Sequence, residues 1–312
     1  MANERMVYLN GELIPDRQAK VSIHDLGFIM GDAVFDTTRT FGGVIFKLEQ
    51  HLERFYRSLT YMRIDPALSQ NEMAACTMQV LEANLPLIGE REDYWITQRV
   101  TRGVRAYDDP GAALVPTVLI ECQPLPFAAR AKFYRDGLPV IVPSVRRTPP
   151  ECMSPRAKVH NYINLIQGDL EVKARDPEAW AILLDINGNI AEGLGSNFFI
   201  VKDGAVITPR EQYVLGGISR ETVLDLARDL GIEAKEADID LFDVYTADEA
   251  FVTSTSFCIC PVSSMNGSTI GDGAIPGPVT DRLLSAYSEL VGVNIVAQYL
   301  AHLQPTVAVS AS

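Results

Sequence analysis

Histidine is scarce in this sequence, with four in 312 residues and no two close together, so a histidine-rich metal site has little support. Cysteine is hardly commoner. The five (Cys76, Cys122, Cys152, Cys258, Cys260) form no CxxC pair and are odd in number, which argues against a disulfide framework. Cys258 and Cys260 read either as a thiolate pair for a metal or as buried small hydrophobes, and the second is expected. No apolar run reaches the roughly 18 residues that a membrane-crossing helix needs. The opening MANERMVYLNGEL lacks a signal-peptide pattern, so a reduced, cytoplasmic setting is expected. Basic charge is also short: 27 Lys and Arg against 40 Asp and Glu leave a net charge of −13. Nucleic-acid and anionic-membrane partners both require a basic surface, so neither is expected, and an anionic ligand must be captured by a local site.

What is present is the composition of a folded protein, 47% hydrophobic and 21% charged. The chain is long enough for two cores. MVYLNGELI and DAVFDTTRTFGGVIF read as hairpins turning at Asn10-Gly11 and Gly42-Gly43. Leu48, Leu52, Phe55, Leu59 and Met62 then fall at helical spacing, with Arg54 beside that face. A helix near NEMAACTMQVLEANL and the strands DYWITQRVT and PTVLIEC complete a small α+β unit, residues 1–121. Residues 122–136, with two prolines and mixed charge, read as a connection to a larger unit, residues 137–312. There the strands AWAILLD, NIAEG, NFFIV and AVITP are punctuated by Asn187-Gly188 and Asp203-Gly204. Two-residue turns make antiparallel neighbours, which disfavours a Rossmann winding.

Four stretches could carry chemistry. Lys158, in SPRAKVHNYINLI, reads as a lysine at a helix start; it is either solvated or kept dry enough for its unprotonated amine to react. Glu192 in NIAEGLGSNFF is a carboxylate among glycines that admit close backbone approach. VLGGISRET offers the free N–H groups of a helix start at Gly217, Ile218 and Ser219, an anion site. TSTSFC adds a hydroxyl-rich turn around Thr255. Each alone is unspecific. Together they supply what pyridoxal 5′-phosphate needs: an amine, a carboxylate for the pyridine nitrogen, and anchors for the phosphate.

The series K...NY, AEGxGSNxF, LGGISRxTVxDLA and ADEAFxTST resembles the fold type IV pyridoxal-phosphate enzymes, the class IV aminotransferases, over about residues 6 to 295. The resemblance implies a two-domain α+β fold, with a small N-terminal α/β sandwich and a larger C-terminal pseudo-barrel of antiparallel strands. It implies a homodimer whose site is capped by a loop of the neighbouring subunit. It makes Lys158 the residue that bonds to the cofactor and shuttles the proton. Tyr162 would meet the ring hydroxyl, Glu192 the pyridine nitrogen and Leu215 the ring face. Arg54, Gly217, Ile218, Ser219 and Thr255 would hold the phosphate, the guanidinium of Arg54 bidentately.

The substrate pattern is mixed. Branched-chain aminotransferases carry a tyrosine and an arginine two residues apart, where this chain has Trp95 and Thr97. D-amino-acid aminotransferases carry an Arg-x-His loop, where VTRGVRAYDDPG supplies Arg105 and Tyr107 but no histidine. (R)-selective amine transaminases place an aromatic residue four positions after the lysine, as Tyr162 is, and a larger residue at the position of Thr37. Arg39 follows the branched-chain pattern. The expectation is a ping-pong transaminase moving an amino group from an (R)-amine to an α-keto acid such as pyruvate. Phe35, Thr37, Trp95 and Thr97 would line its apolar side and Arg105 would meet the acceptor carboxylate, with Arg99 and Arg102 as alternatives for the charge. The rivals are branched-chain and D-amino-acid aminotransferases, a lyase of the aminodeoxychorismate type, and a non-catalytic binder.

Overall fold

A computed structural model of the protein describes residues 4–89, 91–105, 111 and 113–303. In chain order its elements are β1 (Met6–Leu9), β2 (Glu12–Pro15), α1 (Leu26–Met30), β3 (Ala33–Phe41), β4 (Val44–Ile45), α2 (Leu48–Met62), α3 (Gln70–Asn84), β5 (Tyr94–Thr101) and β6 (Val118–Pro124). They continue with α4 (Phe127–Asp136), β7 (Leu138–Ile141), α5 (Ile163–Lys173), β8 (Trp180–Leu184), β9 (Ile190–Gly193), β10 (Asn197–Lys202), β11 (Ala205–Thr208), α6 (Ile218–Asp229) and β12 (Ala234–Glu236). The last are α7 (Leu241–Tyr245), β13 (Glu249–Ser254), β14 (Cys258–Met265), β15 (Ser268–Thr269), α8 (Pro278–Val291) and α9 (Ile295–Leu300).

The first sheet runs β2-β1-β6-β5-β3-β4 and is antiparallel throughout. Its first hairpin turns at Asn10 and Gly11, both at positive φ, as an Asn-Gly turn demands. The apolar stripe of α2 buries Leu52, Phe55 and Leu59 against one face of this sheet. β3 therefore sorts its side chains by parity. Val34, Asp36 and Thr38 face away from the second sheet, while Phe35, Thr37 and Arg39 face it, opposite Arg99, Thr97 and Trp95 of β5.

The second sheet closes on itself. Its order β10-β13-β14-β7-β8-β9, with β9 also paired to β10, makes a ring that β11 and β12 extend. Antiparallel pairs dominate as expected, yet β7 runs parallel to both β8 and β14, and β11 parallel to β12. These are pairs joined by long connections, where a tight turn imposes no direction.

Two expectations are corrected. Residues 122–136 are not a plain connection but the end of β6 followed by α4, because Phe127, Ala131 and Tyr134 recur at helical spacing and are buried, Phe127 and Tyr134 in the larger core. Lys158 is not at a helix start. It lies in an extended stretch before α5, where Val159 bridges Val34 of β3. Among the described residues no helix is long and apolar enough to cross a membrane.

Candidate active site

A cavity opens where the barrel rim meets α2 and the stretch before α5, and Lys158 is one of its walls. The backbone of Lys158 is held from both sides: its N–H donates to Ser58 Oγ at 3.1 Å, and its carbonyl accepts from Phe35 N–H at 3.0 Å. The half-buried side chain ends with Nζ 3.3 Å from the Tyr162 hydroxyl and 4.5 Å from the centre of the Phe35 ring.

Glu192, on β9, forms another wall and is 5% exposed. Oε1 accepts from Arg147 Nε and Oε2 from the Leu215 N–H, each at 2.9 Å. Asn197, opposite Glu192 in the sheet, donates to the Leu215 carbonyl at 2.9 Å and so fixes the loop entering α6. No side chain caps α6, so the N–H groups of its first turn face the cavity beside Gly217, Ile218 and Ser219. A Cβ on Gly217 would lie 2.2 Å from Asn197 Oδ1, so any larger residue there must displace that amide.

Arg54 closes this end. Its Nε and Nη2 donate to the two oxygens of Asp36 at 2.8 and 2.7 Å, and Nη1 donates to the Gly216 carbonyl at 2.9 Å. Its bidentate face is thus occupied by Asp36, a correction to the expectation that this fork grips a phosphate. Burial pushes the Asp36 carboxyl up, but Arg54 and His51 more than offset it and leave it well below the usual carboxylate range. Asp36 is therefore ionised and is the counter-charge of the guanidinium. Thr255 also lines the cavity, with its hydroxyl donating to the Thr37 carbonyl at 3.2 Å.

All the residues expected around a cofactor, from Arg54 to Thr255, thus share one cavity. Those expected around the substrate do not line it. Phe35 abuts it through Lys158 and the Tyr162 ring, 5.5 Å away. Thr37 and Thr97 join hydroxyls at 3.1 Å, and Trp95 lies under the Arg130 guanidinium at 4.9 Å. Arg39 is corrected outright. It is 2% exposed and closed into a network in which Nε donates to the Thr40 carbonyl, Nη1 to the Ser256 carbonyl and Nη2 to Gln298 of α9, with Asp93 as its counter-charge. Arg105 is exposed, its N–H bonded to the His24 carbonyl, and Tyr107 lies outside the described residues. Arg102 is paired with Asp32. Arg99 stays near: it pairs with Glu121 at 2.9 Å and reaches His160 Nε2 at 3.3 Å. Burial, with Arg99 and Lys158 beside it, lowers His160 to about 4, so its ring is neutral at pH 7. Cys258 and Cys260 are buried, and burial pushes the Cys258 thiol up to about 11, the state of packed thiols.

Sequence reasoning missed Asp36 and Arg147, whereas the stretches it singled out around Glu192 and Thr255 also bring Ser196 and Thr253 to the cavity. The last two provide a test of what the cavity holds. Ser196 Oγ and Thr253 Oγ1 are buried on its lining with no hydrogen-bond partner among the described residues, and such groups cost free energy unless something meets them. An amine, a buried carboxylate, uncapped N–H groups beside an arginine, and spare hydroxyls fit pyridoxal 5′-phosphate.

The chain belongs to the class IV aminotransferases, whose family profile, Amino-transferase class IV, matches residues 33–265. It is accordingly a pyridoxal-phosphate-dependent enzyme of fold type IV. It is 36% identical over 286 residues to a putative branched-chain-amino-acid aminotransferase of Methanocaldococcus jannaschii, covering 91% of this chain and 96% of that protein. It is 30% identical over 282 residues to a D-alanine aminotransferase of Bacillus licheniformis, covering 90% and 95%. Among solved structures it resembles the branched-chain amino acid aminotransferase of Escherichia coli, with a TM-score of 0.84, 28% identity and 98% of each chain covered. The branched-chain amino acid aminotransferase of Thermobaculum terrenum, solved in its PLP-bound holo-form, gives 0.80, at 28% identity over 98% of this chain and 99% of that one.

Proposed function

We propose that Lys158 is the covalent anchor of the cofactor and the group that moves the substrate proton. Glu192 faces the pyridine nitrogen, Tyr162 the ring hydroxyl and Leu215 the ring face. The phosphate is taken by the first turn of α6 at Gly217, Ile218 and Ser219, with Thr255 and the remaining N–H groups of Arg54. When bound, the cofactor supplies an electron sink that acidifies the Cα–H of an amino substrate. Lys158 Nζ accepts that proton, and the Tyr162 hydroxyl 3.3 Å away holds the amine in line. Glu192, dry and held at both oxygens, keeps the sink charged.

The amino donor is an apolar amino acid of the branched-chain type and the acceptor is an α-keto acid, exchanged in two ping-pong half-reactions. One observation carries this: the Phe35 ring beside Lys158 also lies 5.6 Å from the Arg99 guanidinium, so one cation and one apolar surface adjoin the reacting amine. A carboxylate and an aliphatic side chain need that combination. The names of the Methanocaldococcus jannaschii and Escherichia coli relatives support it. A second reading, an (R)-amine donor with pyruvate, is favoured by Thr37 and Thr97 satisfying each other with no tyrosine or arginine between them. Half-reactions followed by cofactor absorbance with L-leucine, D-alanine and (R)-1-phenylethylamine separate them. L-Leucine reacting fastest supports the first, the aryl amine the second, and D-alanine overturns both.

The enzyme acts as a homodimer. Phe28 (72% exposed) and Met30 (59%) stand out on α1, whose capping glycine, Gly31, lies near enough to Asn161 of the cavity wall that a Cβ there would come within 3.1 Å of its amide nitrogen. An apolar surface bordering the site suits a second copy; light scattering at monomer mass would refute it.

A further inference from the structure

Arg147 is a buried cation on the side chain that faces the pyridine nitrogen, and nothing in the proposed chemistry yet uses it. It is 8% exposed, its N–H is tied to the Leu184 carbonyl at 2.8 Å, and Leu184 lies on β8, the strand paired with the one that carries Glu192. Nε reaches Oε1 from that scaffold, while Leu215 N–H holds Oε2. Of the two acids lining the same small cleft as Arg147, Asp185 is occupied by the N–H groups of Asn187 and Asn189, and Glu151 is exposed. Arg147 is therefore committed to Glu192.

Such a carboxylate shares one proton with the ring nitrogen opposite it, and the proton has two resting places. Burial favours neutral species on both sides, which puts the proton on the carboxyl and leaves the nitrogen neutral. A full positive charge and a donor at Oε1 favour the charged pair instead. We propose that Arg147 is a positioning residue that keeps Glu192 as a carboxylate and so fixes the shared proton on the pyridine nitrogen. Leu215 N–H assists from the other oxygen. This rests on the role given to Glu192 above.

The test is the 15N resonance of the ring nitrogen in the full-length chain reconstituted with 15N-labelled pyridoxal 5′-phosphate, in wild type, Arg147→Lys, Arg147→Gln and Glu192→Gln. Wild type and Arg147→Lys are expected at the protonated position, and Arg147→Gln, which keeps a donor without the charge, displaced toward the neutral one. Its apo-protein is also expected to bind the cofactor at least about tenfold more weakly. If Glu192→Gln moves the resonance and Arg147→Gln does not, Arg147 only packs and the proposal falls while Glu192 keeps its role. If neither moves it, the role of Glu192 fails and the proposal with it. If Arg147→Gln does not fold, Arg147→Lys decides, because a displaced resonance in that charge-retaining variant is equally fatal.

Discussion

Arg54 grips Asp36 through two parallel hydrogen bonds while its third nitrogen holds the Gly216 carbonyl at the mouth of α6. The buried carboxylate thus aims the arginine, and the arginine positions the loop whose N–H groups receive the anion. Removing Asp36 leaves a buried guanidinium without its counter-charge. Asp36→Asn is expected to destabilise the apo-protein by about 3–5 kcal/mol in urea unfolding. Because the folded Asp36 lies below its ordinary value of 3.8, its contribution is complete above that value and is lost as the pH falls further. The stability gap between wild type and variant is therefore expected to be flat from about pH 5 to 8 and to shrink below about pH 4.

Lys158→Ala is expected to fold, bind the cofactor without a covalent bond, and lose turnover by a factor of at least roughly 10²–10⁴. Borohydride reduction followed by peptide mapping reads the bond directly; an adduct on another lysine would sink the assignment.

Gly217→Ala tests the close approach at the start of α6. The added Cβ must displace Asn197, whose amide holds the Leu215 carbonyl, so a loss of about 1–3 kcal/mol in stability and weaker cofactor binding are expected. Unchanged cofactor affinity would show that the α6 end holds no part of it.

Arg99→Ala separates the two donor classes. The KM for α-keto and amino acids is expected to rise about 10- to 100-fold, while the half-reaction with an amine lacking a carboxylate stays within a few-fold. An equal effect on both would mean that Arg99 acts only through Glu121 and His160.

The parts of the site that could be read from sequence are those where backbone and side chain do one job within a few residues. Gly217, Ile218 and Ser219 form an anion site because a helix starts there, and Glu192 is followed by glycines that admit a ligand. Residues from five segments then meet in one cavity, because the barrel rim carries those around Glu192, Gly217 and Thr255, α2 carries Arg54, and the stretch before α5 carries Lys158. The substrate side was less legible, since its residues depend on which way a strand faces and what lies across the domain junction. Arg39 has the right parity on β3 yet is captured by Gln298 and Asp93, both far away along the chain, which no local pattern announces. Asp36 could have been found, because its parity with Val34 and Thr38 turns it toward the α2 face where Arg54 was already placed. Arg147 carried no signal at all: it is one of two adjacent arginines in SVRRT, and only the pairing of β8 with β9 selects it.

The ring of six strands has no free edge between β9 and β13, so Glu192 and the Thr255 turn are mounted on a frame that cannot shear. Lys158 belongs to a different mount, its backbone pinned to β3 and α2. A molecule fastened to both would span the seam like a rivet, and the vitamin would then brace the two halves of the enzyme as well as serve its chemistry.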